Sequence, residues 1–512
     1  MSVTGGDRPA INPWLIAPVV ALAAFMEILD ISIANVSLPH IAGDLSSSQD
    51  ESTWVLTSYL VTNAVMMPIT GWLSNRFGRK RFFLVCIASF TLASFLCGVA
   101  PDLTTLIILR AIQGAAGGGL QPSGQAILAD SFPVHKRGMA TAIYGIAAVF
   151  APAIGPTLGG FITDNYSWRW VFLINVPVGV ILTILVGAVI HEPHDQSKAN
   201  GRSIDWLGFA LVALSLGCIQ VVLDRGQTED WFGSLQITIL TIISATSFVT
   251  LIWWELHTDE PIVNLRLLKN RDFAASFGLM LMLGFMLLGS TFLIPAYAQS
   301  LMGYTATDAG LVLTPGGLVV LMVLPFVGRM VNKVDTRLLI AIGLILYSVG
   351  LFWMTDVNLD SSFNVMMTGR ILQGSGLAFL FIPINNVAFR AIDRTQTNNA
   401  SALVNLARNF GGSVGISFAS TMLVRREQFH QSRLVEYLNP LTPAYTDLTA
   451  RIGHVVGQGP GVVASIYQSV VGQATLLAYL EDFKVMGWIA ILLIPLLLFV
   501  RAGHSGKPVA VH

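Results

Sequence analysis

Charge is scarce in this chain: Asp, Glu, Lys and Arg make up 11% of its 512 residues, against about 25% in soluble globular proteins. With hydrophobic residues at 54%, folding in water would leave large apolar surfaces uncovered, which argues against a soluble protein. Cysteine is nearly absent. Cys86, Cys97 and Cys218 all fall in apolar segments, and the first two stand eleven residues apart on one helix, about 16 Å by rise alone, so no disulfide framework is readable. A phosphate-binding loop is missing too, because Gly506-Lys507 runs into Pro508 and Arg501 stands where the first glycine belongs. ATP hydrolysis is thereby excluded. His191-Glu192-Pro193-His194 lacks the i, i+4 histidine spacing of a zinc helix and is broken by proline. No metal, no cofactor, no catalysis and no nucleic-acid partner is expected.

What is present is apolar length. Windows of about 20 residues, each able to cross a hydrocarbon core of roughly 30 Å as a helix, occur fourteen times. They begin near Trp14, Trp54, Phe82, Leu103, Met139, Trp168, Ile204, Leu235, Phe273, Ala309, Leu338, Phe363, Ser401 and Phe483. Basic residues cluster in the loops after even-numbered spans: Arg76 to Arg81, Lys136-Arg137, Lys198 and Arg202, Arg266 to Arg271, Arg329 to Arg337, and Arg390 and Arg394. Loops after odd-numbered spans, the last aside, hold only Arg169 and Arg225. Since Lys and Arg are enriched on the cytoplasmic side, both termini are expected there. Only Arg8 precedes the first span, which carries Glu27 and Asp30, so that segment reads as a retained helix rather than a signal peptide.

The chain also repeats itself. Arg110-Ala-Ile-Gln113-Gly114 returns 260 residues later as Arg370-Ile-Leu-Gln373-Gly374, Gly155 returns as Gly415, and Gly71 with its basic turn is echoed by Gly328. A duplicated helical unit with the substrate site at the repeat interface is a common transporter plan. The expected divisions are a first six-helix half over 14–190, a cytoplasmic linker over 191–203, two extra spans over 204–256, a second linker over 257–272 and a second half over 273–501. The second half includes a long extracytoplasmic segment, 425–482. Within it Gly461 to Leu480 reads as an external amphipathic helix.

Ionisable residues inside spans mark function. Glu27 and Asp30 share one helix face, about 4.5 Å apart along the axis, and two such carboxylates cannot both ionise cheaply in a poorly solvated interior. Glu27 has the alternative of facing a water-filled vestibule. Arg110 reads as the cation that competes with a proton for Asp30; Arg370 reads as a tie within its own half. Pro152, Gly155, Pro156, Gly159 and Gly160 would spoil a soluble helix, but inside a bundle they make a kinked, closely packed hinge. Asn35, Gln113, Asn385 and Asn405 are candidate cargo contacts.

Gly71-Trp-Leu-Ser-Asn75-Arg76-Phe-Gly78-Arg79-Lys80 resembles the loop between the second and third helices of the major facilitator superfamily. Leu29 to Pro39, Gly155 to Gly160, Trp168 to Pro177, Leu223 to Gly226 and Trp254 to Leu256 resemble stretches of its fourteen-span drug/proton antiporters. That resemblance implies an all-α integral membrane protein of the inner membrane, with Asp30 and Arg110 at the coupling positions. It implies alternating-access export of amphipathic or hydrophobic drugs driven by the proton gradient. It further implies a periplasmic adaptor, or membrane fusion protein, and through it an outer-membrane channel, with 425–482 on the docking side. Asn75 departs from the aspartate common there, which removes a charge from the cytoplasmic gate. A narrow exporter of a metabolite, fatty acid or siderophore shares all these motifs; an importer and a non-transporting receptor are further alternatives.

Overall fold

The computed structural model describes residues 12–190, 205–259, 261–331, 333–390, 392–393, 396–436, 438, 445–447, 449–451 and 460–500. The first linker, both termini and part of 425–482 lie outside the described residues. Within them the chain is helical, with no strand. Eleven helices are long and apolar enough to cross a bilayer. Trp54–Phe77, Thr397–Glu436 and Pro460–Leu492 are as long but hold more polar residues.

We number the passes α1 (Pro13–Asp44), α2 (Trp54–Phe77), α3 (Arg79–Gly98), α4 (Leu103–Gly117 and Leu120–Ser131), α5 (Val134–Asn165) and α6 (Arg169–Leu173 and Asn175–Val189). Next come α7 (Trp206–Arg225), α8 (Leu235–His257), α9 (Arg271–Ser300), α10 (Ala306–Met330), α11 (Thr336–Trp353), α12 (Phe363–Arg390), α13 (Thr397–Glu436) and α14 (Pro460–Leu492). Starts fall close to those expected except in α14, taken up below, and in α5 and α13, which begin earlier, at Val134 and Thr397, because polar first turns extend each helix past its apolar window. Side-chain caps set several starts. Asp102, Asp205, Asn270, Thr305 and Asp335 accept from backbone N–H groups of the first turn of α4, α7, α9, α10 and α11, satisfying donors that helices leave orphaned.

Burial is inverted relative to a soluble protein. Leu92, Ile184, Leu235, Val249, Phe326 and Leu498 are exposed, while Glu27, Asp30, Arg110, Arg370 and Arg408 are buried. Lipid covers the first set; the second has only the bundle interior. α5 packs along α1 and α10, α9 along α13, and α7 rests on α2. Thr57 donates to Asp224 and Arg225 to Thr53 Oγ1 at 3.1 Å, which fixes α7 to the first half.

One expectation needs correction. The segment from Gly461 is not a separate external helix ahead of a span at Phe483: α14 is continuous from Pro460 to Leu492. Tyr479 Oη lies 3.4 Å from Ser300 Oγ at the C-terminal end of α9, so the α14 residues before it project beyond the bundle. They reach about 28 Å by rise. α13, 40 residues long, runs antiparallel beside them. Arg426 and His430 meet Glu481 at 2.6 and 3.2 Å, and Thr475 donates to Glu427 at 2.8 Å. The polar residues that diluted the apolar signal sit in this projecting hairpin, where no lipid constrains them.

Candidate functional site

Asp30 is fully buried on α1 and receives three donors: Arg110 Nη1 on Oδ2 at 2.6 Å, and Gln113 Nε2 at 3.1 Å and Asn175 Nδ2 at 2.8 Å on Oδ1. Arg110 also donates from Nε to the Val55 carbonyl at 3.1 Å and from Nη1 to Gln113 Oε1 at 2.8 Å, and it lies over the Tyr59 ring at 4.3 Å. Asn175 is steadied by Ser94 Oγ at 3.2 Å. A buried ion pair is tolerable only with most of its remaining hydrogen-bonding capacity met; here α1, α2, α4 and α6 supply partners to every polar atom of the pair except Arg110 Nη2.

One turn nearer the basic end, Glu27 accepts from Asn63 Nδ2 at 3.1 Å and from Gln121, and Gln121 in turn accepts from Arg408 of α13. Glu27 therefore faces the opposite half through an amide rather than a vestibule. Gln125 continues the column, accepting from Asn405 at 2.8 Å. A cleft with about 30 Å³ of free space opens beyond it, lined by Tyr144, Asn385, Asn386, Phe389 and Arg137, room for a water molecule rather than for a cargo in this closed state.

The structure separates the four cargo candidates. Asn385 lines the cleft and Asn405 adjoins it, Gln113 belongs to the Asp30 cluster, and Asn35 is exposed on α1 outside both groups. Sequence reasoning missed Asn63, Gln121, Gln125, Asn175 and Arg408. Gln113, Gln121 and Gln125 recur in steps of four or eight along α4, a one-face pattern that was legible. Arg408 met the same test as Arg110, a charge in an apolar span.

The hinge is continuous helix. Pro156 has no N–H, which frees the Pro152 carbonyl, and Ser32 Oγ of α1 donates to that oxygen at 3.4 Å. A Cβ on Gly155 would stand 2.4 Å from Ser32 Cβ, so glycine permits the approach two residues from Asp30. Gly159 and Gly160 pack against Ile33 and Thr307.

At the basic end, Gly71 abuts Asn399 of α13, and Gly328 of α10 abuts Gly138 of α5. The two landmark glycines thus make the same contact on opposite sides of the bundle, each against the other half. Asn75 accepts from Asn398, an amide pair joining the halves where a charged latch is absent. Gly78 turns the chain with φ at +88°, Arg79 pairs with Asp130, Lys80 donates to the Gly187 carbonyl at 2.7 Å, and Arg76 lies over Trp72.

Two six-helix halves closed at one end, with buried ionisable groups in the middle, define a membrane transporter. The chain belongs to the Major Facilitator Superfamily, whose description matches residues 20–419. It is similar to the "Multidrug export protein EmrB" of Haemophilus influenzae, 36% identical over 94% of each chain. It is also 35% identical to the "Fatty acid resistance protein FarB" of Neisseria gonorrhoeae, over 95% of this chain and 96% of that one. Among solved structures, the human organic anion transporter MFSD10 shares the fold, with a TM-score of 0.59 at 13% identity, covering 96% of this chain and all of that one.

Proposed function

We propose that this chain is an inner-membrane multidrug efflux transporter that exchanges protons for amphipathic or hydrophobic drugs by alternating access. Nearly full-length likeness to multidrug exporters supports the cargo class. The observation that carries the coupling is Asp30, buried, bound to Arg110 and two residues from the close approach of α1 to Gly155. The basic end is cytoplasmic, with both termini on that side, and the structure described is closed there.

In this reading a proton arriving from outside adds to Asp30 Oδ2 and cancels the charge that holds Arg110. Arg110 retains Gln113 Oε1 and the Val55 carbonyl, and Gln113 and Asn175 keep donating to Asp30 Oδ1, so the hold of α1 on α4 is loosened without leaving the guanidinium bare. Movement of α1 reaches α5 through Ser32 and Gly155, and α5 carries it to α10. Glu27 serves as the second proton carrier, and its link to Arg408 through Gln121 reports to the other half. One charge crossing about 150 mV yields roughly 3.5 kcal/mol. At about 1.4 kcal/mol per decade, that sustains a cargo gradient of several hundredfold. The proton gradient is the only energy source required.

Drug accumulation by reconstituted vesicles tests this. It is expected to vanish in Asp30→Asn and on collapse of the proton gradient; undiminished accumulation under both conditions defeats the reading. A narrower exporter of fatty-acid-like compounds is the second reading, favoured by the name of the Neisseria relative, and a resistance panel comparing unrelated drugs with fatty acids separates the two. The hairpin of α13 and α14 is the docking surface for a periplasmic adaptor that continues to an outer-membrane channel.

A further inference from the structure

Arg110, Arg370 and Arg408 are buried inside the bundle, and two buried carboxylates, Asp30 and Glu27, are linked to the first and the last of them. Asp30 neutralises Arg110, and Glu27 reaches Arg408 through Gln121. Arg370 has no acid. Its hydrogen-bond partners are Thr291 Oγ1 at 2.9 Å, Gln373 Oε1 at 3.0 Å and Ser290 Oγ at 3.3 Å, all neutral, and its Nε has none among the described residues. The contrast with the first half is positional. Ser290 stands 260 residues after Asp30, as Arg370 stands 260 after Arg110, so the repeat keeps the cation and replaces its carboxylate with a hydroxyl.

A guanidinium cannot shed its proton in a protein. The surplus positive charge therefore persists through every stage of transport, and burying it without a counter-ion is costly. Arginine's planar fork suits bidentate binding of a carboxylate, and the hydroxyls of Ser290 and Thr291 can turn their hydrogens toward an anion. Of the three guanidinium groups, that of Arg370 is the one with no carboxylate linked to it among the described residues, and a monoanion would supply one.

We propose that Arg370, Ser290, Thr291 and Gln373 form an anion-binding subsite in the second half that holds the carboxylate, or an equivalent single negative charge, of an amphipathic cargo. The subsite rests on the export reading only for the direction in which that cargo moves.

Binding of decanoate, decanol and methyl decanoate to the purified full-length transporter, by calorimetry in detergent and with no gradient, tests it. Native protein is expected to bind decanoate at least about tenfold tighter than either neutral analogue, as charge-assisted contacts imply. Arg370→Gln should erase that preference, bringing decanoate binding down to the level of the neutral analogues. Ser290→Asp, which rebuilds the paired arrangement of the first half and so guards against a variant that fails to fold, should erase it as well. Equal binding of all three probes by native protein, or a preference that survives in Arg370→Gln or in Ser290→Asp, overturns the proposal. Because no gradient is applied, a failure of proton-driven transport in vesicles strikes the antiport reading and leaves this result standing.

Discussion

Replacing Asp30 by Asn and Arg110 by Gln, singly and together, puts a number on the central pair. Both side chains are fully buried and their charged atoms meet at 2.6 Å, so deleting either leaves the other uncompensated, at about 3–5 kcal/mol. The two single changes are not equivalent. In Asp30→Asn the remaining oxygen still accepts from Gln113 and Asn175, but an NH2 group confronts Arg110 Nη1, and arginine cannot discharge itself. In Arg110→Gln the carboxylate keeps both amide donors and relieves its isolation by taking a proton. Asp30→Asn should therefore destabilise more. The double variant carries two neutral amides and should fall short of the summed losses by about 2 kcal/mol or more, in the range of close buried charge pairs. Unfolding by graded SDS in mixed micelles reads stability, and vesicle transport reads function, where all three variants should be inactive. Losses that add to within about 0.5 kcal/mol would refute the pairing as the feature that holds α1 to α4.

Asn398→Ala removes the amide donor to Asn75 and should weaken closure at the basic end by about 1 kcal/mol. A cysteine introduced by Ser401→Cys, read with an impermeant thiol reagent in inverted vesicles, should then label several-fold faster; an unchanged rate rejects the amide latch. Deleting 434–472 should abolish co-purification of a periplasmic adaptor while the transporter still inserts, and persistence of the complex would place docking elsewhere.

The fold was legible because a bilayer imposes lengths. All fourteen passes read as apolar windows; eleven are strongly apolar, and α2, α13 and α14 stand out less because they mix apolar and polar residues. The Asp30–Arg110 pair was legible for the same reason, since either charge alone in lipid is expensive. Its completion was not. Gln113 and Asn175 come from spans 4 and 6, and only packing shows that both amides point at one carboxylate oxygen. Glu27 was harder still, because its cationic neighbour, Arg408, acts through Gln121 and lies 381 residues away in sequence. The continuity of α14 was misread because an amphipathic helix outside the membrane and an apolar one inside it look like two segments, although the hydrogen-bonding pattern never breaks.

On the proposed antiport reading, the repeat explains why one half can act as the proton-sensing half and the other need not. Both halves keep the arginine and the glutamine three residues on, bonded to each other at 2.8 and 3.0 Å. What differs is the α1-equivalent partner. With Asp30 the first half has a bond whose strength depends on a proton; with Ser290 the second half has one that does not. An aspartate at both positions would give each half its own switch, and the halves would then respond without a fixed order. A single titratable partner makes the first half respond and the second half the reference against which it moves. The contacts of Gly71 with Asn399 and of Gly328 with Gly138 then supply matched bearing surfaces for that movement, small enough for backbones to part and meet again.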